Sequence, residues 1–450
     1  MKILHTSDWH LGQEFYSYDR TEEHIAFLEQ LKDIVEKEQP DVLAVAGDIY
    51  HNATPSNTVM RLFTDYLDRV RSACPTMKIV VIAGNHDSSS RLEVTRTLWS
   101  HLGVYIVGRI EKKDEGVDFD RLILPIEGRE GEVMGYVVAL PFTSPQSFPL
   151  IEENTPRELR QSLFLEALGH RVEALNTGGK PVVMMAHMAI TGSDVTGHDL
   201  TQGGMDYIPI SELKVGFDYL ALGHIHCPQT LGTAAPSIHG TGSGSTDDER
   251  LVVTSMDSLE KRSQFSVPSE VTAVGVESVP HACARYCGSP IPVNFDERYV
   301  HSVTIVEIEK HGDQPLLRII PIFNPWPLKT FPKEAQPFEE VLKELALFPD
   351  DEKAYLRLHV KLEDVPPQHA LERAAEAVRN KKCRFCCFKW VYPEERSVKV
   401  RSFEDVEQIK SRSPLDIAEL YYENKFGQPL SDDLKDMLKT VISEVQEHND

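Results

Sequence analysis

The run Asp41-Val-Leu-Ala-Val-Ala-Gly-Asp48 constrains this chain more than any other stretch. It is short, apolar and bounded by turn signals, so it reads as a buried parallel strand. It breaks at Gly47 into a carboxylate, at the tip where open α/β sheets place their ligands. Four other apolar runs end the same way. Ile3 to Ser7 leads into Asp8-Trp9-His10, and Ile79 to Gly84 leads into Asn85-His86-Asp87. Val182 to Ala186 leads into His187, and Tyr219 to Gly223 leads into His224-Ile225-His226. Five strand tips carry Asp, His or Asn with little but Gly between strand and ligand. Such a set calls for a bound metal, or it is a coincidence repeated five times.

Between these strands the apolar spacing is helical. Thr21 to Lys37 places Ile25, Leu28, Leu31 and Val35 on one face, and Pro55-Ser56 opens a helix with Val59, Leu62, Phe63, Tyr66, Leu67 and Val70 inward. Arg91 to Leu102 reads as one further helix stopped by Gly103. This alternation predicts an α/β domain. From Glu111 to Pro141 short alternating runs around Gly128-Arg-Glu-Gly131 predict a hairpin, hence a second, mixed sheet. Pro156 to Leu175 is helical, and Val303 to Glu309 with Leu316 to Phe323 reads as an antiparallel pair.

The segment Cys227 to Ala284 breaks the composition with Gly, Ser, Val and Thr, and residues 228–284 read as a flexible insertion. A boundary is placed at Pro325-Trp326-Pro327, giving a first domain over 1–325. Residues 326–402 then form a small α+β unit, with helices at Glu339 to Leu347 and His369 to Arg379 and strands at Ala354 to Leu362 and Cys383 to Tyr392. Residues 403–450 form a helical tail. In its last helix Leu430, Leu434, Met437, Leu438, Val441, Ile442 and Val445 make one apolar stripe.

With 450 residues, 41% hydrophobic and 26% charged, the chain has the balance of a soluble globular protein of two or three domains. No apolar stretch is long enough for a membrane span. The chain opens directly on a strand with no basic-apolar leader, and its seven Cys are an odd number without framework spacing. A cytoplasmic location is expected. The net charge of −23 argues against a stand-alone DNA binder. A dinuclear cation site, or a basic groove on a partner protein, would offset it.

Asp8-x-His10 and His224-x-His226 each place two ligands on one side of an extended strand. Asp48 has two oxygens and can bridge two ions, Asn85 offers a neutral carbonyl oxygen, and His187 stands alone on its tip. A mixed nitrogen and oxygen set without thiolate suits Mn²⁺, Fe²⁺ or Zn²⁺ in a reactive site and disfavours a structural zinc site.

In order and type these motifs resemble the calcineurin-like metallophosphoesterases. More narrowly, His5-Thr-Ser-Asp-Trp-His-Leu-Gly12, Ala46-Gly-Asp48, Ala221-Leu-Gly-His-Ile-His226 and Tyr286-Cys-Gly-Ser-Pro-Ile-Pro292 with Phe295-Asp-Glu297 resemble the SbcD family of bacterial nucleases. The likeness is close from Met1 to about Phe323, the insertion excepted, and looser beyond. It implies a two-sheet sandwich flanked by helices, with a small α+β capping domain and a C-terminal helical tail. It implies one metal, most simply Mn²⁺, on Asp8, His10, Asp48 and His226, and another on Asp48, Asn85, His187 and His224. His86 matches the family's catalytic histidine, and His51 matches a second site histidine of some relatives.

The resemblance further implies single-strand endonuclease and ATP-dependent double-strand 3′→5′ exonuclease activity on DNA ends and hairpins. It implies a homodimer within a heterotetramer, the tail docking on an SbcC-type coiled-coil ATPase. The insertion departs from the family pattern. A phosphomonoesterase or cyclic-nucleotide phosphodiesterase would use the same metals, and a scaffold that only docks the ATPase would have no need of seven ligands. The stretch Arg379 to Trp390 is basic with interleaved aromatics and reads as a charged outer strand face, with DNA-backbone contact as the other reading. Cys383, Cys386 and Cys387 lack a second pair at zinc spacing and are expected to be free thiols.

Overall fold

The structure, a computed structural model, describes residues 1–113, 116–128, 130–151, 155–195, 207–231, 276–278, 283–362, 365–392, 434–435 and 438. Two sheets pack face to face. The first has seven strands in the order Val276–Ser278, Leu316–Pro321, Ser302–Glu307, Lys2–Thr6, Val42–Ala46, Lys78–Ile82, Val104–Val107. Its last four are parallel, and Ser302–Glu307 runs antiparallel to Lys2–Thr6. The second has six, in the order Gln229–Leu231, Cys283–Tyr286, Tyr219–Gly223, Val182–His187, Val133–Leu140, Ile123–Glu127. Its four central strands are parallel and both edges antiparallel.

Period-two alternation builds the layers. Val42, Ala44 and Ala46 turn to the second sheet and pack in one core with Val137, Val183, Met185, Leu220 and Leu222. Leu43 and Val45 turn the other way, against Phe27, Leu28, Leu31 and Val35 of the helix Thr21–Glu38 and Phe63, Leu67 and Val70 of the helix Asn57–Ala73. Ser56 caps the latter by accepting from the Val59 N–H at 3.3 Å. The strands therefore bury both faces, as their unbroken apolar sequence requires.

Three expectations shift. Ile25 is 43% exposed, and Phe27 and His24 take its place on the buried face. The helix expected over Arg91 to Leu102 is two short ones, Ser89–Leu92 and Arg96–Ser100. Glu93 breaks it because its carboxylate is drawn inward to the Gly108 N–H at 2.8 Å and to Arg121. The insertion is bounded by strand at both ends, Gln229–Leu231 pairing antiparallel with Cys283–Tyr286. Residues 232–275 and 279–282 lie outside the described residues.

The small unit has its own core, formed by Phe338, Val341, Leu345, Leu356, Leu358, Val360, Ala374 and Phe385 among others. Its helices are Phe338–Ala346 and Ala370–Val378. Its sheet has three parallel strands, Leu328–Pro337, Tyr355–Lys361 and Arg384–Val391. The first of these was not legible in the sequence: Pro332 interrupts it, and it survives at the sheet edge with a register shift between Phe331 and Gln336. The unit meets the larger body through Phe15, Phe295, Trp326 and Tyr355. Arg384 lies 3.7 Å over the Trp326 ring, so this basic residue faces inward. Cys383, Cys386 and Cys387 are free thiols. The helical tail over 403–450 falls outside the described residues, apart from 434, 435 and 438. No helix among the described residues is long and apolar enough to cross a membrane.

Candidate metal centre

The loops that leave the parallel strands continue to pair, and that brings their polar tips together. Asp8 N–H donates to Gly47 O, His10 N–H to Asp48 O and Leu11 N–H to Ile49 O, each at 3.0 Å. Asp8, His10, Asp48 and His224 all have positive φ, at 52, 45, 47 and 99°. Each such non-glycine position costs about 1–3 kcal/mol and persists only where the surroundings over-determine it. Glycines make the room. A Cβ on Gly84 would lie 2.1 Å from Asp48 Oδ1, and one on Gly223 would lie 1.8 Å from Ala46 O.

All seven expected ligands converge. Asp48 Oδ2 stands 3.5 Å from His187 Nε2, 3.7 Å from His10 Nε2 and 4.0 Å from His86 Nε2. Asn85 Oδ1 is 3.0 Å from both His187 Nε2 and His224 Nδ1. His10 Nε2 and His226 Nε2 face each other at 3.2 Å. The side chains fall into two buried groups with ligand atoms within 4.8 Å of one another: Asp8 with His10 and His226, and Asp8 with Asp48 and His187. Asp8 stands in both groups, and Asp48, with Oδ2 in reach of both His10 and His187, spans the same two sets.

The donor set fits divalent cations. His187 Nδ1–H donates to the Ala46 carbonyl at 2.9 Å, which leaves Nε2 facing two oxygen acceptors. A proton on Nε2 or a bound cation satisfies that geometry. In the bare chain a proton supplies it: burial pulls the His187 imidazolium down, but Asp48 and Asp8 outweigh burial and hold it at about 9. Asp8 is pushed up by burial and by the charge of Asp48, against the pull of His187 and His226. Two buried carboxylates that compete in this way, ringed by imidazoles, are the environment a divalent cation neutralises.

His86 and His51 sit at the mouth. His86 N–H donates to Asp48 Oδ1 at 2.9 Å, and its ring Nδ1–H donates to the His51 carbonyl at 2.8 Å. The His51 ring stacks on that of His86 with centroids 5.8 Å apart and meets His10 edge-on at 5.7 Å. His10, His51 and His86 form a third group whose nitrogens approach within the same 4.8 Å. Three neighbours outside the expected ligand set also shape the site. Asp87 accepts from the N–H groups of Gly84, Ile49 and Tyr50 at 2.9, 3.1 and 2.9 Å and ties two strand tips together. Burial and then the charge of Asp48 push it up to about 7, against those three donors. Ser7 Oγ donates to Asp8 Oδ2 at 2.5 Å, and Glu297 contacts His226 Nδ1 at 3.3 Å. Asp87 could have been found in Asn85-His86-Asp87. The Glu297 contact spans 71 residues and has no local signal.

The calcineurin-like phosphoesterase family matches residues 1–228, and the type 5 capsule protein repressor C-terminal domain family matches residues 325–426. The chain is similar to the SbcD component of nuclease SbcCD from Rhodobacter capsulatus, 30% identical over 396 residues that make 84% of this chain and 85% of that one. To the SbcD protein of Escherichia coli strain K12 it is 29% identical over 319 residues, 68% of this chain and 65% of the other. To that of Bacillus subtilis it is 25% identical over 454 residues, 98% of this chain and 97% of the other.

Proposed function

We propose, for a chain that belongs to the calcineurin-like phosphoesterases and among them to the SbcD nucleases, that it cleaves DNA phosphodiesters at a two-cation centre. The observation that carries this reading is the convergence of Asp8, His10, Asp48, Asn85, His187, His224 and His226 from five strand tips into one buried cluster. Asp8, His10, Asp48 and His226 would hold one cation, and Asp48, Asn85, His187 and His224 the other. Mn²⁺ suits the mixed imidazole and carboxylate set. When bound, the pair supplies Lewis-acid activation of water and neutralises charge on the phosphodiester. His86, its Nδ1–H fixed on the His51 carbonyl, gives a proton from Nε2 to the leaving sugar oxygen. His51, stacked beside it, contacts the phosphate.

The activity would comprise endonucleolytic cleavage of single strands and, with a partner's ATP cycle, 3′→5′ digestion of duplex ends and hairpins. The partner is an SbcC-type coiled-coil ATPase, two copies with two of this chain. The apolar stripe from Leu430 to Val445 supports helix-in-groove docking, and the net charge of −23 supports a partner that supplies the basic DNA path. A homodimer is supported by Val94, Leu98 and Leu102, apolar side chains 77%, 66% and 45% exposed on the helix Arg96–Ser100 and the turns that flank it. Leu98→Arg should then convert a dimer to a monomer in sedimentation.

The deciding experiment incubates the purified chain with Mn²⁺ and labelled hairpin DNA, with and without the ATPase, beside a phosphomonoester and a cyclic nucleotide. Cleavage of DNA supports the reading. Turnover of the small substrates alone selects a phosphomonoesterase or cyclic-nucleotide phosphodiesterase instead.

A further inference from the structure

The motif from Tyr286 to Glu297 marks the nuclease family in the sequence, yet none of its residues belongs to the ligand set. The structure shows what it touches. Ser289 N–H donates to His226 O at 3.3 Å, and Gly288, at φ +75°, lies so close that a Cβ there would stand 2.2 Å from the same oxygen. Glu297 completes the grip from the ring side. Its side chain is wholly buried; Oε1 is 3.3 Å from His226 Nδ1, and Oε2 accepts from the Val293 N–H at 3.0 Å. The neighbouring residues anchor the segment outside the site. Asp296 pairs with Arg357 at 2.9 Å, and Phe295 packs with Phe15, Trp326 and Tyr355.

We propose that Glu297 is a positioning residue for the Asp8, His10 and His226 half of the centre. It fixes His226 as the tautomer with hydrogen on Nδ1 and turns the Nε2 lone pair toward the cation. The reason is chemical. An ionised carboxylate only accepts, so the nitrogen facing it carries the hydrogen and the other ring nitrogen is left as a ligand. His187 is set the same way by the Ala46 carbonyl, but a carboxylate also raises the donor strength of the ring. Loss of such an outer partner typically weakens metal affinity about 10–100-fold. The proposal rests on the two-cation reading for its consequence, though not for the tautomer itself.

Glu297→Gln separates this role from mere closure of the Val293 to Glu297 turn. The amide oxygen can still accept from Val293 N–H, but its NH₂ then faces His226 Nδ1 and makes that nitrogen the acceptor. Long-range ¹H–¹⁵N spectra of the full-length, metal-free protein labelled in histidine should show His226 hydrogenated on Nδ1 in the wild type and on Nε2 in the variant. Titration with Mn²⁺, followed by electron paramagnetic resonance, should show one ion unchanged and the other weakened about 10–100-fold. A wild-type His226 with no hydrogen on Nδ1 overturns the proposal, and that measurement stands even if the variant fails to fold. A folded variant that takes both ions like the wild type also overturns it. A wild type that takes up no Mn²⁺ overturns the two-cation reading, a distinct failure.

Discussion

Asp48 and His86 sit 4.0 Å apart and should fail differently when removed. Asp48 lies in reach of His10, His187 and His86, so Asp48→Ala strips a shared oxygen donor from the cluster; calorimetric titration should show Mn²⁺ uptake lost together with cleavage. His86→Ala should keep uptake and lose cleavage by about 10²–10⁴-fold, the usual worth of a positioned acid. Full activity in that variant would remove His86 from the reaction. Gly223→Ala tests the space rather than the ligands. Its Cβ would meet Ala46 O at 1.8 Å, so the strand tip must shift at a cost of about 1–3 kcal/mol, visible as a lower urea midpoint alongside weaker Mn²⁺ binding. The residues of the cluster were legible because each sits at the end of an apolar run, a local pattern. Glu297 and Ser7 were not, since a carboxylate 71 residues from its imidazole, or a hydroxyl inside a strand terminus, gains its role only when the chain folds.

Strands and long helices were legible for the same local reason. Their buried faces follow a period of two or of 3.6, and both sheets have the strands that the runs announce. The element that departs is the one following Asp87. Arg91 to Leu102 has helical spacing, but Glu93 is buried and bound to Gly108 N–H, Arg121 and the nearby Arg96 and Arg109. A tertiary ion network outweighs the helix propensity of one turn. Glu93→Ala should therefore loosen the two short helices. Arg121 keeps Glu111 as a partner, so the expected cost is roughly 2 kcal/mol rather than the ~3–5 kcal/mol of a fully stranded buried charge. Hydrogen exchange confined to Ser88 through Gly108 should quicken; unchanged exchange there would show that the network is incidental. The edge strand Leu328–Pro337 was illegible for the opposite reason: its two prolines and its charges mask a backbone that pairs only because Tyr355–Lys361 lies beside it.

At the scale of the molecule, two bodies with separate cores meet across a few polar and aromatic contacts, and Arg384 is central among them. Its guanidinium covers Trp326 at 3.7 Å and donates to Tyr355 Oη at 2.7 Å and to Asp19 O at 3.1 Å. Tyr355 in turn donates to Glu23, whose buried partner Arg20 holds the Pro292 carbonyl at 2.8 Å, at the head of the segment that reaches Glu297. A cation over indole in a partly desolvated setting contributes about 0.5–2 kcal/mol. Arg384→Ala should leave each core intact and free the small unit. Calorimetry should show a transition for residues 328–391 ahead of the rest, with faster proteolysis near Asn324 to Trp326. Uptake of Mn²⁺ should be unchanged, because no ligand lies in the small unit. Cleavage of hairpin DNA should fall if that unit helps hold the substrate. A single unshifted transition would mean that the remaining contacts, the aromatic cluster of Phe15, Phe295 and Trp326 with the Asp296–Arg357, Glu22–Lys353 and Glu23–Tyr355 pairs, suffice to join the two bodies without the cation.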